Sequence, residues 1–175
     1  MQPLDEIETP IQSNTRKCEQ GWRDFFKANC SVVFQTALLL TADATAAEAA
    51  VAESIDSLDI SSPPEQRNLA AWEKAVVVRS LETAQLSSSA NSATRSMLQP
   101  GLLPVIQIER FPRICFVLRM LLGYSTALCA QILGVEESHV RMLFQVATLQ
   151  LQQKVRIPMD VNNHSEDVNK DSGRM

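Results

Sequence analysis

The feature that most constrains the fold is a pair of helical patterns, separated by a glycine, in the last third of the chain. Helical spacing of apolar residues predicts a short helix from Thr126 to Leu133 and a longer one that opens near Glu136. Gly134 lies between them, where a left-handed backbone conformation costs least. The second pattern turns inward four apolar residues: Val140, Phe144, Ala147 and Leu151. The sequence therefore predicts a helix-turn-helix.

The outer face of the second helix carries side chains suited to the major groove of DNA, where base edges offer hydrogen-bonding groups. The candidate DNA-binding residues are Ser138, His139, Arg141, Met142 and Gln145. Glu136 and Glu137 fall in the first turn of the same helix, where the helix dipole favours negative charge.

With the apolar helix before it, this segment resembles region four of bacterial sigma factors of the extracytoplasmic-function group. The matching residues are Leu118-Arg119, Gly123-Tyr124-Ser125, Ala130, Ile132-Leu133-Gly134, Val140 and Ala147. The chain departs from that pattern where Ala127 and Leu128 replace acidic residues. It departs again where arginines of the family are replaced by Leu143, Val146 and Thr148. Fewer cations imply weaker contact with phosphates, which supply much of the affinity for DNA.

Two helical patterns in the first third of the chain predict a helical pair. The first runs from Gly21 to Leu40 and the second from Ala44 to Leu58. A third pattern covers Leu69 to Gln85, and its Trp72 is expected in the core, because a single indole in a periodic stripe is more often packing than a base-stacking platform.

This front segment resembles region two of the same sigma factors. The resemblance rests on Leu40-Thr41-Ala42-Asp43 and on the spacing of Ala47, Glu48, Val51 and Glu53. In the family this helix docks on core RNA polymerase, so the resemblance implies that Glu48 and Glu53 are polymerase-binding residues. The alternative is that these carboxylates form only a solvated helix face.

The expected fold class is therefore all-α, with two small helical domains joined by a flexible linker. The predicted divisions are a region-two-like bundle over 15–86, a linker over 87–104, a region-four-like helix-turn-helix over 105–156 and a disordered tail over 157–175. The polar run over 87–96 suggests the linker, because it has too little apolar surface to bury.

Charge is unevenly distributed along the chain. Residues 1–60 hold four basic and ten acidic residues, a net charge of -6, whereas residues 98–158 hold six basic and three acidic residues, a net charge of +3. An acidic front and a mildly basic rear suggest different partners for the two parts.

The cysteines and the catalytic motifs argue against a metal site or an enzyme. Four cysteines lie far apart with no C-x-x-C pair, so neither a metal nor a cofactor is expected, and Cys30, Cys115 and Cys129 are predicted to be buried. No phosphate-binding glycine loop or catalytic constellation is present, which indicates a protein that is not an enzyme. An acidic amino-terminal segment and short apolar runs predict no membrane insertion and a cytoplasmic location.

Three functions remain open. The first is a working sigma factor, whose partners would be the RNA polymerase core, promoter DNA and, as a further candidate, an anti-sigma factor. The second is a degenerate sigma-like regulator that acts through protein contacts without recognising a promoter. The third is another helix-turn-helix regulator with an unrelated helical front domain.

Overall fold

A computed structural model describes residues 10–83 and 92–156, and every regular element within these ranges is helical. The all-α prediction is thereby confirmed. The elements in chain order are α1 (Pro10–Thr41), α2 (Ala44–Ile55), α3 (Gln66–Thr83), α4 (Ser92–Met97), a 3-10 turn (Pro100–Leu102), α5 (Leu103–Ile106), α6 (Arg110–Phe116), a π segment (Val117–Leu121), α7 (Thr126–Leu133) and α8 (Glu137–Arg156).

The turn between α1 and α2 is short and held by side chains at both ends. Ala42 has φ +59°, a left-handed conformation that is uncommon for a residue with a Cβ. The Thr41 hydroxyl lies 2.9 Å from the Ala37 carbonyl oxygen and 3.0 Å from the Asp43 carbonyl oxygen. Asp43 caps α2 by accepting a hydrogen bond from the Ala46 amide at 2.8 Å. These contacts fix the chain reversal that lays α2 against α1.

The front part of the core is built around Trp72 of α3, which is fully buried, as predicted. Its indole N–H donates to the Ser54 hydroxyl of α2 at 2.8 Å, so the one polar atom of the ring is satisfied. Phe25 and Phe26 of α1 pack against the same indole, with ring centroids 5.9 Å and 5.1 Å away. Helices α1, α2 and α3 thereby share one aromatic centre.

The segment predicted as a linker is partly helical. Residues 92–104 contain α4, the 3-10 turn and the start of α5, and Leu98 is buried. The Gln35 side-chain amide of α1 donates to the Met97 carbonyl oxygen at 2.8 Å. These residues therefore have regular structure and are joined to α1 by hydrogen bonds of Gln35, while the linker itself stays a prediction. The division into two domains stays a prediction, and residues 84–91 and the predicted tail lie outside the described ranges.

The buried apolar side chains form one continuous cluster that runs from α1 through to α8. The last turns of α1 are buried on all sides, from Ala37 to Thr41. Helix α1 as a whole contacts α2 and α3 as well as α6 and the π segment. The described parts of the front and rear segments therefore meet on α1.

One cysteine prediction is wrong. Cys115 and Cys129 are fully buried as expected, but Cys30 is exposed on α1. The residue before it, Asn29, is half-buried, and its side-chain amide donates to the Phe25 carbonyl oxygen at 2.8 Å. Helix α1 therefore turns Asn29 toward its neighbours and leaves the Cys30 thiol exposed.

Candidate nucleic-acid interface

Two local capping arrangements build the helix-turn-helix. The Ser125 hydroxyl accepts a hydrogen bond from the Leu128 amide at 3.1 Å and so starts α7. At the other end Gly134 has φ +66°, and the next amide, that of Val135, donates to the Ala130 carbonyl oxygen at 3.1 Å. This is the pattern in which a left-handed glycine closes a helix and reverses the chain. The predicted bounds of α7 and the role of Gly134 are confirmed.

The inner face of α8 is anchored at several points. Val140 and Ala147 are fully buried. The ring of Phe144 stacks on Phe116 of α6 with centroids 6.2 Å apart. Farther along, the Gln150 side-chain oxygen accepts a hydrogen bond from the Glu109 amide at 3.0 Å. These contacts hold α8 across α6 and fix which of its faces is turned outward.

The side chains predicted to contact DNA all lie on the exposed surface of α8. Exposed in this way are Ser138, His139, Arg141, Met142 and Gln145. Helix α8 contacts α5, α6 and α7 from its other side. The structure therefore brings the five residues together on the amino-terminal half of one helix, while their role in DNA binding stays a prediction.

Acidic residues lie on the same exposed part of α8 as Arg141. Arg141 Nη1 lies 3.7 Å from Glu137 Oε2, and both side chains are about half exposed. Glu136 is also exposed, and its carboxylate accepts a hydrogen bond from the Ser138 hydroxyl at 3.2 Å. An exposed ion pair of this kind contributes at most about 1 kcal/mol, so it can exchange for a stronger partner such as a phosphate.

The contacts of two arginines that precede the helix-turn-helix were not predicted from the sequence. Arg119 lies over the ring of Phe144, with its guanidinium carbon 5.0 Å from the centroid. Arg113 is buried and donates to the Ile108 carbonyl oxygen at 3.1 Å and to the Ile106 carbonyl oxygen at 3.4 Å. Burial, followed by the nearby charge of Arg110, lowers the pKa of Arg113 to about 10, so the guanidinium stays charged at neutral pH. Arg113 thus ties α6 to the preceding turn, a role that no pattern in one sequence reveals.

The two candidate polymerase-binding residues are exposed on α2, as predicted. Glu48 and Glu53 are five residues apart, so their side chains leave the helix in directions about 140° apart. They therefore do not form one continuous acidic patch. A partner that contacts both carboxylates has to span the width of the helix.

Other kinds of site find no support within the described ranges. No group of three or more His, Cys, Asp or Glu side chains is placed to hold a metal ion there. None of the helices that the structure describes is long and apolar enough to cross a membrane.

Comparison with known proteins found no match among protein-family models, curated proteins or solved structures. The resemblance to sigma factors therefore depends on the motif residues named above.

Proposed function

We propose that this chain binds duplex DNA through the outer face of α8 and acts in transcription initiation in the manner of a sigma factor, by binding rather than catalysis. The observation that carries the proposal is the capped helix-turn-helix, in which α8 is anchored by Val140 and Ala147 and presents its amino-terminal half to solvent. A helix held in this way is the element that helix-turn-helix proteins insert into the major groove.

The five exposed side chains are suited to different kinds of contact with DNA. Arg141 can donate two hydrogen bonds to guanine, and Gln145 can pair with the edge of adenine. Ser138 and His139, at the amino-terminal end of α8, are suited to phosphate contact. Met142 is 51% exposed and offers an apolar contact to a thymine methyl group.

Binding of core RNA polymerase is the second part of the proposal. Its support is the resemblance of the α1–α2 segment to sigma region two, together with the exposure of Glu48 and Glu53. Replacing both residues with lysine should abolish capture of the core enzyme. The matched control replaces Glu65 and Glu82 with lysine, because these carboxylates are also exposed but lie outside α2. Equal capture by the two double variants would remove the assigned residues from the interface.

DNA binding is tested by selecting sequences from a genomic library with the full chain and measuring affinity over a range of salt concentrations. Arg141→Ala should weaken binding to the selected sequence by about 1 to 3 kcal/mol if the arginine reads a base. Arg67→Ala is the matched control, because Arg67 is exposed and pairs with Glu65 at 3.0 Å in the front segment. Selection of no sequence, or equal affinities for the two variants, would contradict the proposal.

A second candidate is a regulator that acts through protein contacts alone. It is favoured by the carboxylates of Glu136 and Glu137 beside the single cation of the exposed first turns of α8. In that case the chain should capture polymerase or a sigma factor while its affinity for DNA stays at the nonspecific level, roughly 10⁻⁴ to 10⁻⁶ M at physiological salt.

A further inference from the structure

A stripe of five exposed residues runs along α8 directly opposite its buried face. The outer stripe consists of Ser138, Met142, Gln145, Leu149 and Gln152, all exposed. Its members are separated by four, three, four and three residues, the spacing of the seam between two paired helices. Val140 and Ala147, which are fully buried, lie on the other side of α8.

The composition of the outer stripe is unusual for a surface in water. None of its five members is charged, and Met142 and Leu149 are 51% and 59% exposed. The outer face of an amphipathic helix normally carries charged and polar residues. Two large apolar side chains one heptad apart, with only uncharged residues between them in the stripe, indicate a surface that a second helix covers.

The arrangement of the stripe favours a second copy of the same helix in antiparallel orientation. About a two-fold axis at Gln145, Ser138 of one copy comes level with Gln152 of the other, and Met142 comes within one residue, about 1.5 Å, of the level of Leu149. An interface of this kind uses the same patch on both copies and is self-complementary. No charged side chain of the stripe is buried by the pairing.

The charges at the two ends of α8 point to the same orientation. The first turn is acidic, with Glu136 and Glu137 exposed, and Lys154 is exposed near the end. Antiparallel pairing brings the acidic end of one helix level with the basic end of the other, whereas parallel pairing would align like charges. The dipoles of two antiparallel helices also attract each other, which favours the same orientation.

We propose that a second copy of this chain docks on the outer stripe of α8 and covers part of the DNA-reading face. The 20 residues of α8 span about 30 Å. A single pair of such helices buries an area at the low end for specific interfaces, so the dimer should dissociate at roughly 1 to 100 µM. Ser138, Met142 and Gln145 belong both to the stripe and to the proposed DNA contact, so the predicted competition with DNA rests on the proposed function, whereas dimerisation does not.

Sedimentation of the full chain over a wide concentration range tests the dimer. Leu149→Glu should weaken association at least tenfold, because it places two carboxylates in the seam. Val32→Glu is the matched control: Val32 is 63% exposed on a helix but lies on α1. A chain that stays monomeric at millimolar concentration, or equal weakening by both variants, would overturn the proposal.

Disulfide cross-linking tests the orientation without an apolar substitution. In a background of Cys18→Ser and Cys30→Ser, Gln145→Cys should form a covalent dimer, because this position lies on the two-fold axis. Gln152→Cys should not, because its antiparallel counterpart is Ser138. No cross-link by either variant, or equal cross-linking by both, contradicts the antiparallel pair.

Competition with DNA separates this proposal from the proposed function. Raising the chain concentration above the dimer range should lower the fraction of wild-type chain bound to the selected sequence relative to Leu149→Glu, which leaves the five DNA-contact residues intact. A dimer in a chain that binds no DNA would sustain the docking surface and reject the DNA-binding function. DNA binding by a chain that never dimerises would do the reverse.

Discussion

Glu137 and Arg141 form an ion pair on the exposed face of α8, with 3.7 Å between Oε2 and Nη1. The two residues are one helical turn apart, in the order that favours an acidic residue toward the amino terminus. The cation best placed to meet a nucleic acid is thus shared with a carboxylate of its own helix. Release of Arg141 from Glu137 is part of the cost of any contact that the guanidinium makes to DNA.

Replacing Glu137 with glutamine should therefore strengthen DNA binding. The change removes the competing partner of Arg141 and one negative charge close to the phosphates, and we expect an increase in affinity of about three- to tenfold. Glu65→Gln is the control, because Glu65 pairs with Arg67 in the front segment. Fluorescence anisotropy at fixed salt measures both variants. An unchanged affinity of the Glu137 variant would show that Arg141 does not exchange partners.

Ser54→Ala should destabilise the fold by about 1 to 3 kcal/mol, because it leaves the buried indole N–H of Trp72 without its acceptor. Ser57→Ala is the control: its hydroxyl donates to the Ser54 carbonyl oxygen at 2.6 Å, but the residue is exposed. The control should change the free energy of unfolding by less than about 0.5 kcal/mol. Urea denaturation followed by circular dichroism provides the comparison, and equal losses would contradict the role of the buried bond.

Gly134→Ala and Gly101→Ala should have opposite effects on stability. A Cβ at either position would meet no atom within 4 Å, but only Gly134 of the two has a positive φ, at +66°. The left-handed conformation costs alanine roughly 1 to 2 kcal/mol. Gly101→Ala should be neutral or stabilise the chain by about 0.4 to 1 kcal/mol, because it restricts the unfolded state. Thermal unfolding of the two variants should separate them, and a neutral Gly134→Ala would contradict the left-handed closure of α7.

Stability should fall in alkaline solution as buried thiols titrate. Burial, followed by the neighbouring Cys129 thiol, raises the pKa of Cys115 to about 11, with Arg119 opposing the shift. The folded chain therefore holds this proton more tightly than the unfolded chain, whose thiols have a pKa of about 8.5. The stabilising contribution of Cys115 is complete below that value and is lost as the pH rises toward about 11.

The corresponding measurement is the free energy of unfolding from pH 8 to 10 for the wild type and Cys115→Ala. The variant should show a shallower decline, by at most about 1.4 kcal/mol per pH unit, because one titrating group is removed. Cys30→Ala is the control, because its side chain is exposed. Identical slopes for the wild type and Cys115→Ala would contradict the assignment.

The helices and turns could be predicted because they depend on adjacent residues. Burial that depends on contacts with distant parts of the chain could not be predicted. Ser125 and Gly134 mark the ends of α7 through caps that need only adjacent residues, so their sequence signal is direct. The end of α1 is different, because Ala37 to Thr41 are buried all round and show no helical period. Burial on every side depends on packing against distant parts of the chain, and a single sequence carries no sign of such contacts.

The apolar leader segment shows the same limit. The apolar residues before the helix-turn-helix, over 113–122, have the spacing of one regular helix, but Val117–Leu121 form a π segment, in which the Leu122 amide donates to the Val117 carbonyl oxygen at 3.1 Å. The wider turn changes which side chains face inward, so Val117 and Leu118 are buried while Met120 and Leu121 are exposed. Helical periodicity alone cannot anticipate that change.

The exposed face of α8 was readable from the sequence because it is the complement of a regular apolar stripe. The charge interactions around this face could be predicted from the sequence only in part. The pairing of Glu137 with Arg141 follows from a four-residue spacing visible in the sequence. The cation–π contact of Arg119 with Phe144 joins residues far apart in the chain, and its formation depends on how α8 packs against the helices before it.

The length of α1 has a mechanical consequence. Its 32 residues span about 48 Å, and it contacts α2 and α3 as well as α6 and the π segment. One continuous helix in contact with both parts of the fold couples their positions. A partner that bound Lys17 or Gln20, which are exposed on α1, and displaced this helix would therefore also shift α6, and with it the angle at which α8 is presented, without touching the rear of the molecule.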